Sequence, residues 1–336
     1  MARGESILIT GVAGFIGAAV ARALMERGQS VLGIDNLNDY YSVALKQSRL
    51  AELERDHGIR LRFCQLDFSD PETLNSTLNS EDISSIIHLG AQAGVRYSLD
   101  NPNAYVASNL AGHVNLLELA RARNVRHMLY ASSSSVYGAN TKLPFSVDDS
   151  VDHPVSLYAA TKRANELMSE TYAHLFAIPL TGLRFFTVYG PWGRPDMAMW
   201  KFVERIFSDR PIDIYNHGHM QRDFTYIDDI VAGVLACLDR PPRNDGSLKP
   251  GGGRKPHAIY NIGNNRPEPL MRLIEVIEEA CCRKARYNFM DMQPGDVPAT
   301  YADISALARD TGYAPTTPIE VGVPRFVDWY RRYHAM

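Results

Sequence analysis

Tyr158 and Lys162 lie four positions apart in the segment SLYAATK, where a helix is predicted to begin. Residues i and i+4 share one face of a helix, so the phenol and the ammonium group would lie side by side. Tyrosine has a pKa of about 10 and is a poor base at neutral pH, but a nearby positive charge favours the phenolate. The spacing therefore suggests a tyrosine acid/base. An ordinary Tyr/Lys pair on an exposed helix is the alternative, because this spacing is common by chance.

A run of serines, Ser132 to Ser135, follows the apolar segment HMLYA. In a doubly wound sheet the carboxyl ends of the strands form the binding crevice, where hydroxyl groups can bind a polar substrate. A serine-rich turn without a chemical role is the alternative, and composition alone favours it.

Three glycines, Gly11, Gly14 and Gly17, form the pattern G-x-x-G-x-x-G between a predicted strand and a predicted helix. Glycines allow a tight turn and let a pyrophosphate approach the helix N-terminus. Asp35 ends the second strand about twenty residues further on, where dinucleotide-binding folds place an acid against the ribose hydroxyls. No arginine follows Asp35 directly, so NAD is favoured over NADP. The alternative is a tight turn and a solvated carboxylate.

Two more segments follow predicted strands. Asp67, in QLDFSD, could contact the adenine of a dinucleotide or cap the next helix. The small residues of Gly90-Ala91-Gln92-Ala93 would let a cofactor lie against the backbone, but they are equally typical of a plain strand-to-helix turn.

These positions require a scaffold of repeated strand–helix units. The predicted strands of the first half are SILIT, SVLGID, LRFCQLD, SSIIHLG and HMLYASS. Helical patterns such as FIGAAVARALMERG and NLAGHVNLLELARARN lie between them. Repeated βα units predict a parallel sheet with helices on both faces, which is a Rossmann-type, doubly wound α/β fold.

After about residue 185 the alternation weakens. GPWGRPD and residues 240–256 are predicted loops, HAIYNIG is one more strand, and Asp228-Asp229 opens the helix YIDDIVAGVLACLDR. The segments EPLMRLIEVIEEACC and EVGVPRFVDWYRRY are predicted helices. We expect one domain from residues 1–184 plus about 224–262, and a smaller, interleaved C-terminal substrate domain from about 185–223 plus 263–336.

Bulk properties narrow the class of protein. The 336 residues carry a net charge of −3, which argues against a general nucleic-acid or membrane-surface binder. We expect neither a secretory signal nor a membrane span. Neither the cysteines nor the histidines have the spacing of a metal site, so we expect free thiols, a cytoplasmic protein and no metal. The cysteines are Cys64, Cys237, Cys281 and Cys282, and the histidines considered are His88, His217 and His219.

In this order and spacing, GVAGFIG, SSSSVYG and YAATK resemble the extended short-chain dehydrogenase/reductase family. Residues 184–202, 221–230 and 293–303 resemble its nucleotide-sugar epimerase branch, and the resemblance covers nearly the whole chain. DNLNDYY, Thr187 and the run GRPDMA resemble the UDP-glucuronate 4-epimerases within that branch. Relatives often carry alanine where this chain has Gly90, and we expect that difference to be mild.

The resemblance implies NAD as the cofactor and a UDP-sugar as the substrate. Tyr158 would be the acid/base, and Lys162 would hold its phenolate and bind the nicotinamide ribose. The positive charge of oxidised nicotinamide would lower the pKa of Tyr158 further. The predicted cofactor-binding residues are Gly11, Gly14, Phe15, Ile16, Gly17, Asp35, Asn36, Asp67, Phe68, Leu89, Ala91 and Gln92, with Tyr158 and Lys162.

The resemblance also assigns the sugar site. Ser133 and Ser134 would orient the sugar and relay its proton, and Ser135 and Thr187 would contact the hexuronate carboxylate.

Charged residues complete the implied substrate site. Arg194 would contact the sugar or a ribose, Arg222 would clamp the diphosphate, and Asp296 would bind the uridine ribose. Arg96, in AGVRYS, would approach the substrate from a loop near the cofactor. For Arg96 and Asp296 a surface ion pair remains an equal alternative.

The implied reaction converts UDP-glucuronic acid to UDP-galacturonic acid through a 4-keto intermediate, in an isomerase that retains NAD. Oxidation at C4 makes a β-keto acid, which loses CO2 unless its carboxylate is held out of alignment with the carbonyl. Short neutral donors at Ser135 and Thr187 suit that task. Dehydratases and decarboxylases of the family often carry an acid where this chain has Ser134 and Ser135.

Three other functions stay open from the sequence. They are 4-epimerisation of another UDP-sugar such as UDP-glucose or UDP-N-acetylglucosamine, decarboxylation of UDP-glucuronate, and NAD sensing without turnover. Proteins of the last kind usually lose the catalytic Tyr or Lys. The resemblance further implies a homodimer that pairs two helices, at about residues 100–122 and 155–176.

Overall fold

The computed structural model describes residues 5–293 and 297–336. In chain order its strands are β1 (Ser6–Thr10), β2 (Ser30–Asp35), β3 (Leu61–Gln65), β4 (Ile83–His88), β5 (His127–Ser133), β6 (Leu180–Phe185), β7 (Thr187–Tyr189), β8 (Ile212–Tyr215), β9 (Gln221–Tyr226), β10 (His257–Ile262), β11 (Pro267–Pro269) and β12 (Tyr287–Met290). Its α-helices are α1 (Phe15–Glu26), α2 (Val43–His57), α3 (Pro71–Leu78), α4 (Tyr97–Asp100), α5 (Pro102–Tyr105), α6 (Gly112–Ala122), α7 (Leu157–Phe176), α8 (Ala198–Phe207), α9 (Ile227–Leu238), α10 (Leu270–Cys281), α11 (Ser305–Thr311) and α12 (Ile319–Tyr333). A π-helical segment, Val106–Ala111, joins α5 to α6.

The central sheet has seven strands in the order β10-β6-β5-β4-β1-β2-β3. Every neighbouring pair runs parallel. The strand order reverses between β1 and β4, and at such a point the carboxyl ends of the strands open into a crevice. The five strands predicted in the first half and the strand HAIYNIG are confirmed, whereas β6 is a strand that the sequence analysis does not identify.

Helices cover both faces of this sheet because side chains of each strand alternate between two cores. On β1, Ile7 and Ile9 belong to a core that includes side chains of α1, α2 and α9. Leu8, between them, belongs to a second core with side chains of α3 and α6. The predicted doubly wound fold is therefore confirmed.

The later part of the chain adds two small sheets, β11-β9-β7 and β12-β8. Helix α9 begins at Ile227 with Asp228 and Asp229 in its first turn, as predicted. Asp229 also accepts hydrogen bonds from the N–H groups of Thr316 and Thr317, at 3.1 and 3.0 Å, and so ties α9 to the segment before α12. The division into two interleaved domains stays a prediction.

The helix expected around residues 100–122 is interrupted. It comprises α4, α5, the π-helical segment and α6, whereas the helix expected at 155–176 is the single helix α7. No helix in residues 5–293 or 297–336 is long and apolar enough to cross a lipid bilayer.

Candidate active site

The glycine turn, Gly11 to Gly17, joins β1 to α1. Gly11 has φ +70°, in the left-handed region that favours glycine, and its N–H donates to the carbonyl of Ile34 on β2 at 2.8 Å. A Cβ on Gly17 would lie 2.0 Å from the carbonyl oxygen of Gly11, and a Cβ on Gly11 would lie 2.8 Å from the Cα of Gly90. The turn thus packs backbone against backbone, and side chains at Gly11 or Gly17 would break it.

Helix α1 presents an uncapped N-terminus beside this turn. Its N-cap is Gly14, no side chain caps the first N–H groups, and the first turn contains no acidic residue. The positive end of the helix therefore suits a pyrophosphate. Phe15 is buried in the sheet core and Ile16 packs against that core, so these two predicted residues offer a cofactor chiefly their backbone.

Asp35 ends β2 with its carboxylate turned back to the glycine turn. It accepts hydrogen bonds from the N–H groups of Ala13 at 3.2 Å and Leu37 at 2.9 Å. Burial raises the pKa of Asp35, against these hydrogen bonds and the nearby Lys46. Lys46 donates to the carbonyl and side-chain oxygens of Asn38, at 2.7 and 2.9 Å. This lysine lies on α2, beyond the residues that directly follow Asp35, and is not predicted from the sequence.

Asn36 and Asp67 form a polar pair at the ends of β2 and β3. The Asn36 amide donates to Asp67 at 2.9 Å, and the hydroxyl and N–H of Ser69 donate to the same carboxylate at 2.6 and 2.8 Å. Burial acts to raise the pKa of Asp67, but these hydrogen bonds outweigh it and hold that pKa below its usual value. The N-cap of α3 is Asp70, so the capping role considered for Asp67 is wrong.

Phe68 and Gly90 are fitted to each other. A Cβ on Gly90 would lie 2.6 Å from Cε1 of the buried Phe68 ring and 3.0 Å from the hydroxyl of Thr10. The alanine that relatives often carry therefore requires Phe68 to shift. The expectation that this difference is mild stays a prediction, and it depends on how readily the ring moves.

The segment after β4 is held by an asparagine. The N–H of Leu89 donates to the carbonyl of Thr10 at 3.2 Å, and that of the buried Gln92 donates to Asn109 Oδ1 at 2.8 Å. Ala91, between them, is half-buried. These three predicted cofactor residues thus line the carboxyl end of β4, beside the glycine turn.

Asn109 lies in the π-helical segment and is fully buried. Its amide donates to the carbonyl of Gln92 and to the hydroxyl of Thr161, both at 3.0 Å, and its carbonyl accepts from Asn165 at 2.6 Å. Asn109 therefore connects the end of β4 to α7. Asn109 is not predicted from the sequence. The available signal is an amide in an otherwise apolar helical pattern, and π-helical segments often lie at functional sites.

Tyr158 and Lys162 occupy the first two turns of α7, which Ser156 caps by accepting from the N–H of Ala159 at 3.1 Å. Burial raises the pKa of Tyr158, and a hydrogen bond from Ser133 acts to lower it. Lys162 Nζ donates to the carbonyl of Ala131 on β5 at 2.8 Å, and burial lowers the pKa of Lys162 to about 8. The lysine thus shares the helix face of the tyrosine as the spacing predicts, but its hydrogen bond goes to β5.

The serines divide into two groups. Ser133 Oγ accepts from the N–H of Ser135 at 3.1 Å and caps the 3₁₀ turn that carries Ser134 and Ser135, which are half-buried. Ser132 instead donates to Glu166 at 2.7 Å inside the core. Ser132 is therefore committed to the core, whereas Ser133, Ser134 and Ser135 lie in or beside the turn after β5.

Arg194 brings a positive charge to Tyr158. The guanidinium acts to lower the pKa of Tyr158, whereas the carboxylate of Asp196 acts to raise it. It also pairs with Asp196, through Nε and Nη2 at 2.9 and 2.5 Å, and the Tyr40 hydroxyl donates to the same carboxylate at 3.2 Å. Thr187 begins β7, two residues after Phe185, which is the register partner of Ser133. Tyr40 and Asp196 lie in segments already singled out, DNLNDYY and GRPDMA, but the sequence gives neither a role.

Three predicted substrate-binding residues remain, namely Arg222, Arg96 and Asp296. Arg222, on β9, donates to the carbonyls of Gln221 and Pro298 at 2.9 and 3.1 Å. The Arg96 guanidinium lies over the ring of Tyr215, 4.9 Å from its centroid. Asp296 lies outside the described residues.

Comparisons with known proteins agree with this geometry. Residues 7–263 match the NAD-dependent epimerase/dehydratase family. A Rhizobium meliloti protein named "Probable UDP-glucuronate 4-epimerase" is 48% identical over 338 residues, which cover 98% of this chain and 98% of the relative. The UDP-glucuronic acid 4-epimerase of Bacillus cereus, in complex with UDP-glucuronic acid and NAD, is 32% identical with a TM-score of 0.84, over 98% of this chain and 100% of that one. A tyrosine-to-phenylalanine variant of that epimerase, with UDP-4-deoxy-4-fluoro-glucuronic acid and NAD, is 31% identical with a TM-score of 0.84, over the same shares.

Proposed function

Because the chain belongs to the NAD-dependent epimerase/dehydratase family, we propose that it interconverts UDP-glucuronic acid and UDP-galacturonic acid by inverting C4. It is an isomerase of carbohydrate metabolism. The observation that carries this proposal is the match over 98% of the chain to an epimerase that binds UDP-glucuronic acid and NAD. The phenol of Tyr158 lies beside the strand ends, where such a substrate must meet its cofactor.

The glycine turn and the ends of β2 and β4 fit NAD. The open N-terminus of α1 would hold the pyrophosphate, Asp35 the adenosine ribose, and the pair Asn36–Asp67 the adenine. Bound NAD supplies the hydride acceptor and then the hydride donor at C4. Asp35 accepts two backbone N–H groups, so it is already oriented, and a negative charge there opposes a 2′-phosphate.

Tyr158 takes the proton of the C4 hydroxyl and returns it after the sugar has turned its other face. Ser133 holds the phenol by a hydrogen bond, and the charge of Arg194 stabilises the phenolate. Lys162, whose ammonium group donates to the carbonyl of Ala131, is assigned to the nicotinamide ribose. Ser134 completes the hydroxyl pair that orients the sugar.

The hexuronate carboxylate is assigned to Ser135 and Thr187. Both are neutral, and they stand at the ends of adjacent segments, the turn after β5 and the start of β7. No acidic side chain occupies positions 134 or 135, so no group there is available to protonate C5 after loss of CO2. This arrangement favours epimerisation over decarboxylation.

The nucleotide half of the substrate is assigned to Arg222 for the diphosphate and Asp296 for the uridine ribose. A guanidinium presents paired donors to phosphate oxygens. Arg96, stacked on Tyr215 of β8, is assigned to the rim of the same cleft.

Incubation of the purified protein with UDP-glucuronic acid, followed by proton NMR without added cofactor, tests the proposal. We expect UDP-galacturonic acid, no pentose and no net NADH. UDP-xylose or a 4-keto pentose would instead identify a decarboxylase. Turnover only of UDP-glucose or UDP-N-acetylglucosamine would move the assignment to another 4-epimerase. If none of these three UDP-sugars is converted even with NAD added, then NAD sensing without turnover is the function that remains.

We also propose a cytoplasmic homodimer that pairs α7 and the interrupted helix that runs from α4 to α6. Its support is a set of exposed apolar side chains on these elements: Leu99, Val106, Leu167 and Leu175. Free thiols at all four cysteines fit a reducing compartment. Light scattering should give twice the chain mass of 37.5 kDa, and Leu167→Glu should give the monomer.

A further inference from the structure

Arg49, on α2, is a buried arginine whose acceptors are mainly backbone carbonyls. Only 1% of the surface of Arg49 is exposed to solvent. Nη1 donates to the carbonyl of Ala13 at 2.9 Å and to the Tyr41 hydroxyl at 2.8 Å. Nε and Nη2 donate to the carbonyl of Trp192 at 3.2 and 2.7 Å, and Nη2 also donates to Gly193 at 3.1 Å. Burying a cation this completely is costly, so each of its donors must be placed accurately.

The hydrogen bonds of Arg49 join two different parts of the candidate active site, namely the glycine turn and the segment before Arg194. Ala13 lies in the glycine turn, and its N–H donates to Asp35. Trp192 and Gly193 directly precede Arg194, the charge that acts on Tyr158. One guanidinium therefore fixes the cofactor turn and the Arg194 segment relative to each other.

The Trp192 segment needs such a restraint. Trp192 has φ +65°, a conformation that is unfavourable for a bulky side chain and persists only when its surroundings impose it. Its ring packs against Trp329 and Tyr333 of α12, at centroid distances of 5.1 and 5.3 Å. The ring is thus held by α12, and the carbonyl on the other side is held by Arg49.

We propose that Arg49 is a positioning residue of the reaction: it seats the Trp192-Gly193 turn on the glycine turn, so that Arg194 faces Tyr158. Arg49 touches neither sugar nor cofactor in this role. The proposal rests on the proposed epimerase function, because it explains how the residues of that active site are held in position. A lysine at position 49 has one donor group where arginine has a fork, so it can bind one of the two turns but not both.

A double-mutant cycle in the NAD-bound enzyme tests the proposal. We expect Arg49→Lys to lower kcat/KM for UDP-glucuronic acid about 10- to 100-fold, as small displacements of positioning groups do. If Arg49 acts through Arg194, then R49K/R194K falls no further than R194K alone, within about twofold. Fold losses that simply multiply would overturn the proposal and leave Arg49 a stability residue.

Arg22→Lys is the matched control. Arg22, on α1, forms an ion pair at 2.6 Å with Glu52, which lies on α2 as Arg49 does. Among the described residues, no side-chain hydrogen bond or ion pair joins Arg22 to either turn. We expect it to leave kcat/KM unchanged, both in the wild type and in the R194K background. If R49K does not fold, Tyr41→Phe removes one acceptor of the guanidinium and should show a smaller loss with the same non-additivity.

Two readouts separate this inference from the proposed function. Tryptophan fluorescence should shift in R49K but not in R22K, because Trp192 moves. The calorimetric Kd for UDP-glucuronic acid should show the same non-additive pattern with R194K. Absence of wild-type turnover would reject the epimerase, while an unchanged fluorescence spectrum and multiplicative Kd values would reject the role of Arg49.

Discussion

Glu166→Gln should be one of the most damaging single-atom changes in the protein. Glu166, one turn after Lys162, is 0% exposed at its side chain and pairs with Arg184, which is 2% exposed. Its two oxygens accept from Arg184 Nε and Nη2 at 2.8 and 3.0 Å. The first also accepts from Ser132 at 2.7 Å, and the second from the part-exposed Arg163 at 3.1 Å. Glutamine keeps the size but removes the charge, so a guanidinium stays buried without its counter-charge. Breaking such a pair costs about 3–5 kcal/mol, and the oxygen that glutamine retains places our expectation near 3.

Urea titrations of the wild type and the variant at pH 7 measure this difference as a change in the free energy of unfolding. Glu170→Gln is the matched control, because Glu170 stands one turn further along the same helix. Its carboxylate accepts from His257 but is 39% exposed, so we expect a loss below about 1 kcal/mol. If E166Q loses no more stability than E170Q, then the Arg184 guanidinium is not left as an uncompensated buried charge, and the reasoning is refuted.

Removing both charges supplies a second check. In E166Q/R184M both members of this pair are neutral, so stability should recover part of the loss seen in E166Q. The pH dependence follows from the same pair. Burial acts to raise the pKa of Glu166, but Arg184 outweighs it and holds that pKa below its usual value. The stability from this carboxylate is therefore present above its unfolded pKa of 4.5 and is lost as the pH falls through the lower folded value.

Three further predictions concern the active site. Tyr158→Phe should lower kcat about 10²- to 10⁴-fold while NAD stays bound, measured by NMR turnover and by cofactor content; unchanged turnover would remove Tyr158 from acid/base catalysis. Gly90→Ala should weaken NAD binding measurably by calorimetry, because its Cβ would lie 2.6 Å from Cε1 of Phe68; Phe68→Leu in the same chain should restore part of the affinity. Lys162 has a pKa of about 8 when folded against 10.5 ordinarily, so the unfolded chain binds more protons between these values. In NAD-free protein the free energy of unfolding should rise by up to about 3 kcal/mol across that range in the wild type, and Lys162→Met should lack that rise.

The parts of the site that sequence could predict are those whose signal is local. The glycine turn is set by three residues within seven positions, and Asp35 follows at the next strand end. Both depend on backbone conformation and chain order, which periodicity and spacing report directly. The strands of the first half are confirmed for the same reason.

The parts that sequence could not predict depend on distant contacts. Arg49 and Asn109 gain their meaning from partners far away in the chain, Trp192 and Thr161. β6 contains Arg184, and a charged residue in an apolar segment argues against a buried strand. The strand is possible because Glu166, distant in the chain, neutralises that charge. Asp67 and Asp70 are equally good caps by residue type, and only the start of α3 at Pro71 decides between them.

The packing of α12 on Trp192 has a consequence for how the protein is made. A ribosome completes the glycine turn early and the helix that supports the Arg194 segment last among the described elements. Until Trp329 and Tyr333 emerge, the strained Trp192 turn lacks the rings that hold it. A nascent chain can therefore form its cofactor turn long before its chemistry is assembled.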